Sequence, residues 1–159
     1  MGYHIRWAKN SDVPEILEID ACSSRLPLSE ESLDKLLYCR QTICMVVEER
    51  GEILGFVVYL LAKRHLSIER ISVKPTARRQ RVGLAMIERL VSKLSLNRRR
   101  ELLYRVCDHD LSRHLFLSKC GMGARMIRDG CECGGDSYRF KLEIQTYDPV
   151  IISTAANLI

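Results

Sequence analysis

Between His65 and Leu94 the hydrophobic period of the chain changes once, and that change limits the folds open to it. "HLSIERISV" (65–73) alternates polar and apolar residues as a half-buried strand does, and Pro75 ends it. From Gly83 onward the apolar residues fall at Leu84, Ile87, Leu90, Val91 and Leu94, which is helical spacing. A strand must therefore hand over to a helix within "ARRQRVGLA" (77–85), a stretch with three arginines and one glycine. The N–H groups at a helix start lack intrahelical partners, and with the helix dipole they attract anions. Arginines at 78, 79 and 81 would add charge-assisted contacts to a phosphate.

The rest of the chain organises around this handover. "HIRWA" (4–8) reads as a first strand. "SDVPEILEIDAC" carries a helix start, with Asp12, Pro14 in the first turn and Glu15 three residues on. A second helix begins at Ser29, with Glu30 and Glu31 in its positive first turn. "TICMVVEE" and "EILGFVVYLLA" are strands joined by a hairpin turn at "ERGE". "ELLYRVC" is a further strand, "LSRHLFLSKCG" a short helix stopped by Gly121, and "ARMIR" and "SYRFKLEI" a last strand pair. An antiparallel meander mixed with strand–helix–strand units places the chain in the α+β (mixed α/β) class. With 159 residues and no linker, one domain is expected over 1–144, followed by a C-terminal tail from 145 to 159.

Composition excludes several classes. No run of about 18 apolar residues is present, so no membrane span is expected, and a cytoplasmic location is the default. The net charge of +5 is concentrated at Arg78 to Arg81 and Arg98 to Arg100. No aromatic residues interleave these arginines as a single-strand platform requires, so nucleic acid ranks last among partners. Seven cysteines cannot all pair within the chain, and Cys22, Cys39, Cys44, Cys107 and Cys120 sit in apolar segments. Only Cys131 and Cys133 look like a ligand pair, whereas a zinc site takes four ligands; no metal is expected.

"VKPTARRQRVGLA" (73–85) resembles the acetyl-CoA signature of the GCN5-related N-acetyltransferase (GNAT) superfamily, and the chain from about residue 3 to 144 is similar to its ribosomal-protein-alanine N-acetyltransferase type. "PLSEESL" (27–33), "CMVVEERGEILGFVVY" (44–59) and "RVCDHDLSRHLFLSKCGM" (105–122) follow that type's helix start, central hairpin and second signature in order. The resemblance implies a twisted, largely antiparallel sheet of about seven strands with four helices, splayed between strands 4 and 5. It implies acetyl-CoA as cosubstrate, a protein or peptide amine as acceptor, and a monomer or homodimer. Ile71, Ser72 and Val73 would line the pantetheine arm. Arg78, Arg79, Gln80, Arg81, Val82, Gly83, Leu84 and Ala85 would wrap the pyrophosphate, and Asp110 and Phe116 would add contacts from the second signature.

The catalytic positions depart from the pattern. The family's basic glutamate corresponds to Arg105 and its acidic tyrosine to Leu117, and neither can do that work. Its first turn glycine corresponds to Arg81, and its paired substrate-holding tyrosines to Gly130 and Cys131. Glu69, beside the start of the cofactor strand, is the preferred replacement base, ahead of His65, Asp108, His109 and Tyr138. Two readings of different class stand beside the enzyme: a non-catalytic protein that binds acyl-CoA or a protein partner, and a nucleic-acid contact through the arginines.

Overall fold

The central hairpin shows why the predicted elements form. In the computed structural model, which describes residues 2–145, Thr42–Glu49 (β2) and Glu52–Leu61 (β3) pair antiparallel from Thr42↔Leu60 to Glu49↔Glu52. Arg50 and Gly51 alone bridge them, at φ 53° and 84°. Two consecutive left-handed residues give the turn the twist of the strands it joins. The expected tail lies outside the described residues, save Gln145.

The backbone falls into two compact units. The first holds residues up to Leu61 together with Ile68–Arg89; the second holds Ala62–Ser67 and the residues from Leu90 on.

In the first unit, His4–Trp7 (β1) pairs antiparallel with β2. Val13–Ala21 (α1) and Glu30–Tyr38 (α2) pack Ile16, Ile19 and Leu33 against Cys44, Val46, Ile53, Phe56 and Val58 of the hairpin. Burial pushes the Cys44 thiol up to about 12, which makes it an inert core group. Ser29 caps α2 as predicted, accepting from the Ser32 N–H at 3.1 Å. Asp12 differs from its prediction: it makes no side-chain cap to α1. Its carboxylate instead accepts from Arg6 and from the Lys9 N–H, within a short 3₁₀ turn over Asn10–Asp12.

Strand β4 runs from His65 to Val73. The division between the units falls inside it: His65–Ser67 belong to the second unit, and Ile68–Val73 to the first. Val82–Val91 (α3) follows and ends three residues before the Leu94 that the spacing predicts. Its buried residues are Val82, Met86, Ile87 and Leu90, so the buried face starts at Val82, two residues before Leu84.

In the second unit, Glu101–Cys107 (β5) pairs antiparallel with Ser137–Glu143 (β7), which pairs with Gly123–Ile127 (β6). Leu111–Lys119 (α4) begins at Asp110 and ends near Gly121, at φ 80°. Leu102, Tyr104, Val106, Leu117, Met122 and Phe140 form this unit's core. The strand order is β1-β2-β3-β4-β5-β7-β6, with β4 and β5 parallel, giving seven strands and four α-helices among the described residues. The predicted α+β class and element order are those of the structure.

Candidate functional site

The handover between β4 and α3 lies in the first unit. Pro75–Ala77 forms one 3₁₀ turn, and Arg78 to Arg81 then cross to the helix with exposed side chains. Arg79 and Arg81 both take left-handed backbone, at φ 60° and 66°. Arg81 thus occupies a glycine-type conformation, at a cost of roughly 1–2 kcal/mol. Its carbonyl accepts the first helical bond, from the Ala85 N–H at 2.9 Å. The amides of Val82, Gly83 and Leu84 therefore precede the intrahelical ladder, in the position where a helix start meets anions.

The turn is tied down from several sides. Gln80 Nε2 donates to the Thr76 carbonyl at 3.0 Å, and the Tyr3 hydroxyl donates to the Gln80 carbonyl. Arg78 donates to Ser23 Oγ at 3.2 Å, and Ser23 donates in turn to the Val73 carbonyl at 3.1 Å. Gly55 on β3 seats the helix: a Cβ there would lie 2.8 Å from the Ser72 carbonyl oxygen and 3.3 Å from both Val82 and Met86.

The strand that feeds the turn is held by a buried carboxylate. Asp20, near the end of α1, is fully buried. It accepts from Arg70 Nε at 2.8 Å and Nη2 at 2.6 Å, from Ser72 Oγ at 2.9 Å, and from the Leu28 N–H at 2.8 Å. Burial alone would raise its pKa, but the bonds from Arg70, Leu28 and Ser72 outweigh it and hold the carboxyl below the ordinary range. Arg70 and Ser72 therefore share one face of β4. Glu69, Ile71 and Val73 lie on the other, because strand side chains alternate. Glu69 is exposed, whereas Ile71 and Ser72 are buried.

Sequence reasoning missed Asp20, Gly55, Tyr3 and Ser23. Two of them carried a signal. A glycine inside an apolar strand marks a close backbone approach, and an aspartate inside an apolar helix stripe needs a partner.

The second unit holds the remaining predicted residues. Asp110 is the N-cap of α4: it accepts from the Arg113 N–H at 3.1 Å and pairs with the Arg113 guanidinium at 3.0 Å. Phe116 is half-buried on α4, and Leu117 is fully buried core. Arg105 is exposed and stands in register with Arg139 of β7, which is itself in register with Arg125 of β6. Tyr138 packs its ring edge-on to His114, with centroids 4.9 Å apart. His65 is half-buried, and its carbonyl accepts from the Ala62 N–H at 3.1 Å. Arg99 and Arg100 donate to the Ala62 and Leu96 carbonyls, both at 2.6 Å, which ties both guanidinium groups to the backbone. His109 and Asp108 lie beside Cys107, 3.6 Å apart.

Residues 13–122 match the model of the Acetyltransferase (GNAT) family. The chain belongs to this family. No curated protein matches it significantly in sequence. Among solved structures it is similar to the ribosomal-protein-S18-alanine N-acetyltransferase of Escherichia coli, at TM-score 0.78 and 18% identity over 93% of this chain and 97% of that one. It is likewise similar to Ard1 from Thermoplasma volcanium, at TM-score 0.79 and 17% identity over 91% and 99% of the two chains. A third neighbour, Arabidopsis thaliana NAA60 in complex with acetyl-CoA, gives TM-score 0.75 and 16% identity over 90% and 100%. At these identities the likeness is one of fold. Among the described residues no helix is long and apolar enough to cross a membrane.

Proposed function

We propose that this GNAT-family chain is an acetyl-CoA-dependent N-acetyltransferase that acts on the N-terminal amine of a protein or peptide. The observation that carries the reading is the β4–α3 turn, where the first amides of a ten-residue helix adjoin Arg78, Arg79 and Arg81. Such a turn suits a pyrophosphate. The acetyl-CoA complex of a structural neighbour supports the same cosubstrate. Ile71, Ser72 and Val73, at the end of the strand, would follow the pantetheine arm, and Gln80 to Ala85 would take the phosphates.

In the reaction the amine nitrogen attacks the thioester carbonyl carbon. A C–N bond forms, the C–S bond breaks, and the CoA thiolate takes up a proton. An α-amine, with a pKa of about 7.7–8.0, needs only a modest base to give up its proton, often through water. Glu69 is that base in this reading: it is exposed, on the same face of β4 as Ile71 and Val73. The free exposed thiols of Cys22 and Cys39 suit a reducing compartment such as the cytoplasm.

A second reading, a GNAT-fold protein that binds acyl-CoA without turnover, is favoured by Leu117 and Arg105. The first is sealed in the core and the second lies beside Arg139, so neither replaces the missing acid and base. The two readings separate in one experiment. The pure chain is titrated with acetyl-CoA and with CoA, then assayed for thiol release with a pool of N-terminal peptides and small amines. Binding with peptide-dependent thiol release is expected. Binding without release selects the second reading, and no binding ends both.

A further inference from the structure

The β5–α4 corner and the β6–β7 loop, both in the second unit, bring together four side chains to which the proposed acetyl transfer assigns no role. Cys107 ends β5 and His109 follows two residues on; Cys131 and Cys133 lie in the loop between β6 and β7. The Cys131 sulfur is in disulfide contact with both Cys107 and Cys133, with Cα–Cα separations of 5.5 and 5.3 Å. A disulfide sulfur has one sulfur partner, so the two pairings exclude each other, and no disulfide accounts for all three cysteines. Cys133 Sγ also lies 3.5 Å from Cys107 Sγ and 3.8 Å from His109 Nδ1. The ligand atoms of Cys107, His109 and Cys133 all fall within 4.8 Å of one another.

The 3.5 and 3.8 Å separations are close to the edges of one coordination sphere. With Zn–S at about 2.3 Å and Zn–N at about 2.0–2.1 Å, a tetrahedron has edges of roughly 3.8 Å between sulfurs and 3.6 Å between sulfur and nitrogen. Cys131 joins the set once its sulfur opens to the same edge length.

The backbone supplies the reason for the convergence. Cys107 ends β5, and Asp108 and His109 form the tight turn that follows, closed by the Asp110 N–H on the Cys107 carbonyl at 3.2 Å, which keeps His109 close to Cys107. The loop is turned back by Gly134 and Gly135, at φ 80° and 131°. Cys131 N–H donates to the Gly135 carbonyl and Gly134 N–H to the Cys131 carbonyl, each at 3.1 Å. The two segments are stitched to each other by the Asp108 N–H on the Asp136 carbonyl, also at 3.1 Å.

We propose that Cys107, His109 through Nδ1, Cys131 and Cys133 form a tetrahedral zinc site that clamps the β5–α4 corner to the β6–β7 loop. The donor set selects the ion: three thiolates and an imidazole in tetrahedral array suit Zn²⁺. Binding releases the three thiol protons and leaves the centre with one net negative charge. Four protein ligands fill the tetrahedron, so the ion is structural and has no open position for a reactant. This assignment departs from the expectation of no metal. That expectation found one ligand pair because the second is a Cys-x-His rather than a second Cys-x-Cys.

The test uses the full chain, produced in zinc-supplemented medium and purified anaerobically without reductant or chelator. Elemental analysis is expected to find about one zinc per chain. All seven cysteines should alkylate after denaturation in chelator. Cobalt substitution should give thiolate-to-metal charge-transfer bands. Cys133→Ser and His109→Ala should each weaken metal binding by about 100-fold or more, whereas Cys22→Ser should not. Chain that is metal-free or iron-loaded, with two fewer reactive thiols and a Cys107–Cys131 or Cys131–Cys133 crosslink by peptide mapping, overturns the proposal. An unchanged cobalt spectrum in His109→Ala overturns the four-ligand set. The metal and thiol content of the unmodified chain decides the matter even where a variant fails to fold.

Discussion

The β4–α3 turn and the cysteine cluster are both loops that bring chemistry-bearing residues together, but they are stabilised in opposite ways. The turn is held by its own neighbourhood: a buried carboxylate behind β4, a glycine beneath α3, and hydrogen bonds from Tyr3, Ser23 and Gln80. The cluster has little apolar cover, since His109, Glu132, Cys133, Gly134 and Gly135 are all exposed. A packed site can tolerate locally unfavourable residues, such as two arginines at positive φ, because the surroundings over-determine it. An exposed loop has no such reserve, and a covalent or coordinate crosslink is the remaining way to fix it.

The largest expected effect sets the two regions apart. Stripping zinc with a chelator should speed amide hydrogen exchange over residues 107–136 by on the order of 10³-fold, with residues 68–89 little changed. Equal acceleration in both segments would mean that the distinction is false. Next comes Asp20→Ala, which removes the acceptor for Arg70, Ser72 and the Leu28 N–H. It should cost about 3 kcal/mol in denaturant unfolding, and a loss under about 1 kcal/mol would show that β4 is held by other means.

The same carboxylate gives a pH dependence. Its folded pKa lies below the unfolded value, so its contribution is complete above an unfolded pKa of about 3.9 and is lost as pH falls through the folded one. Wild-type stability should therefore drop more steeply with acid below about pH 4 than that of Asp20→Asn, and parallel curves would remove Asp20 from the ledger of acid-sensitive groups.

Glu69→Gln should lower turnover by about 10²-fold with acetyl-CoA affinity retained; an unaltered rate would remove Glu69 as the base. Arg81→Gly should be among the smaller effects. It relieves the left-handed arginine and should raise stability by about 0.5–1 kcal/mol, while lowering CoA affinity if the guanidinium touches phosphate. Smaller still is Arg139→Ser, which separates a row of like charges with Arg105 and Arg125 and should gain a few tenths of a kcal/mol, about 0.3, in thermal unfolding.

What was legible in the sequence follows the same division. The strand-to-helix handover could be read because its residues are contiguous and the period changes within them. Ser29 as a cap and Gly121 as a stop are likewise local signals. Asp12 was misread because its acceptors were claimed by Arg6 and the Lys9 N–H, a tertiary competition that no capping pattern records. Asp110 is expected as a cofactor contact from the resemblance alone, and its capping of α4 with the Arg113 pair is a separate, local role. The proposed ligand set is not legible in the sequence because its halves are separated along the chain by α4 and β6, so only folding brings Cys107 near Cys133.

Gly55 has a consequence for anyone who varies this chain. By intrinsic preference a glycine is among the poorest occupants of a strand interior, so a consensus or stability-guided redesign would replace it early. Yet even one methyl would meet the Ser72 carbonyl at 2.8 Å, and a flexible neighbour cannot absorb that because the obstacle is main chain. A saturation library should therefore find position 55 nearly monomorphic while Val57 and Val58, two and three residues further on, accept aliphatic exchange, an inversion of the tolerance map that propensity scales would draw.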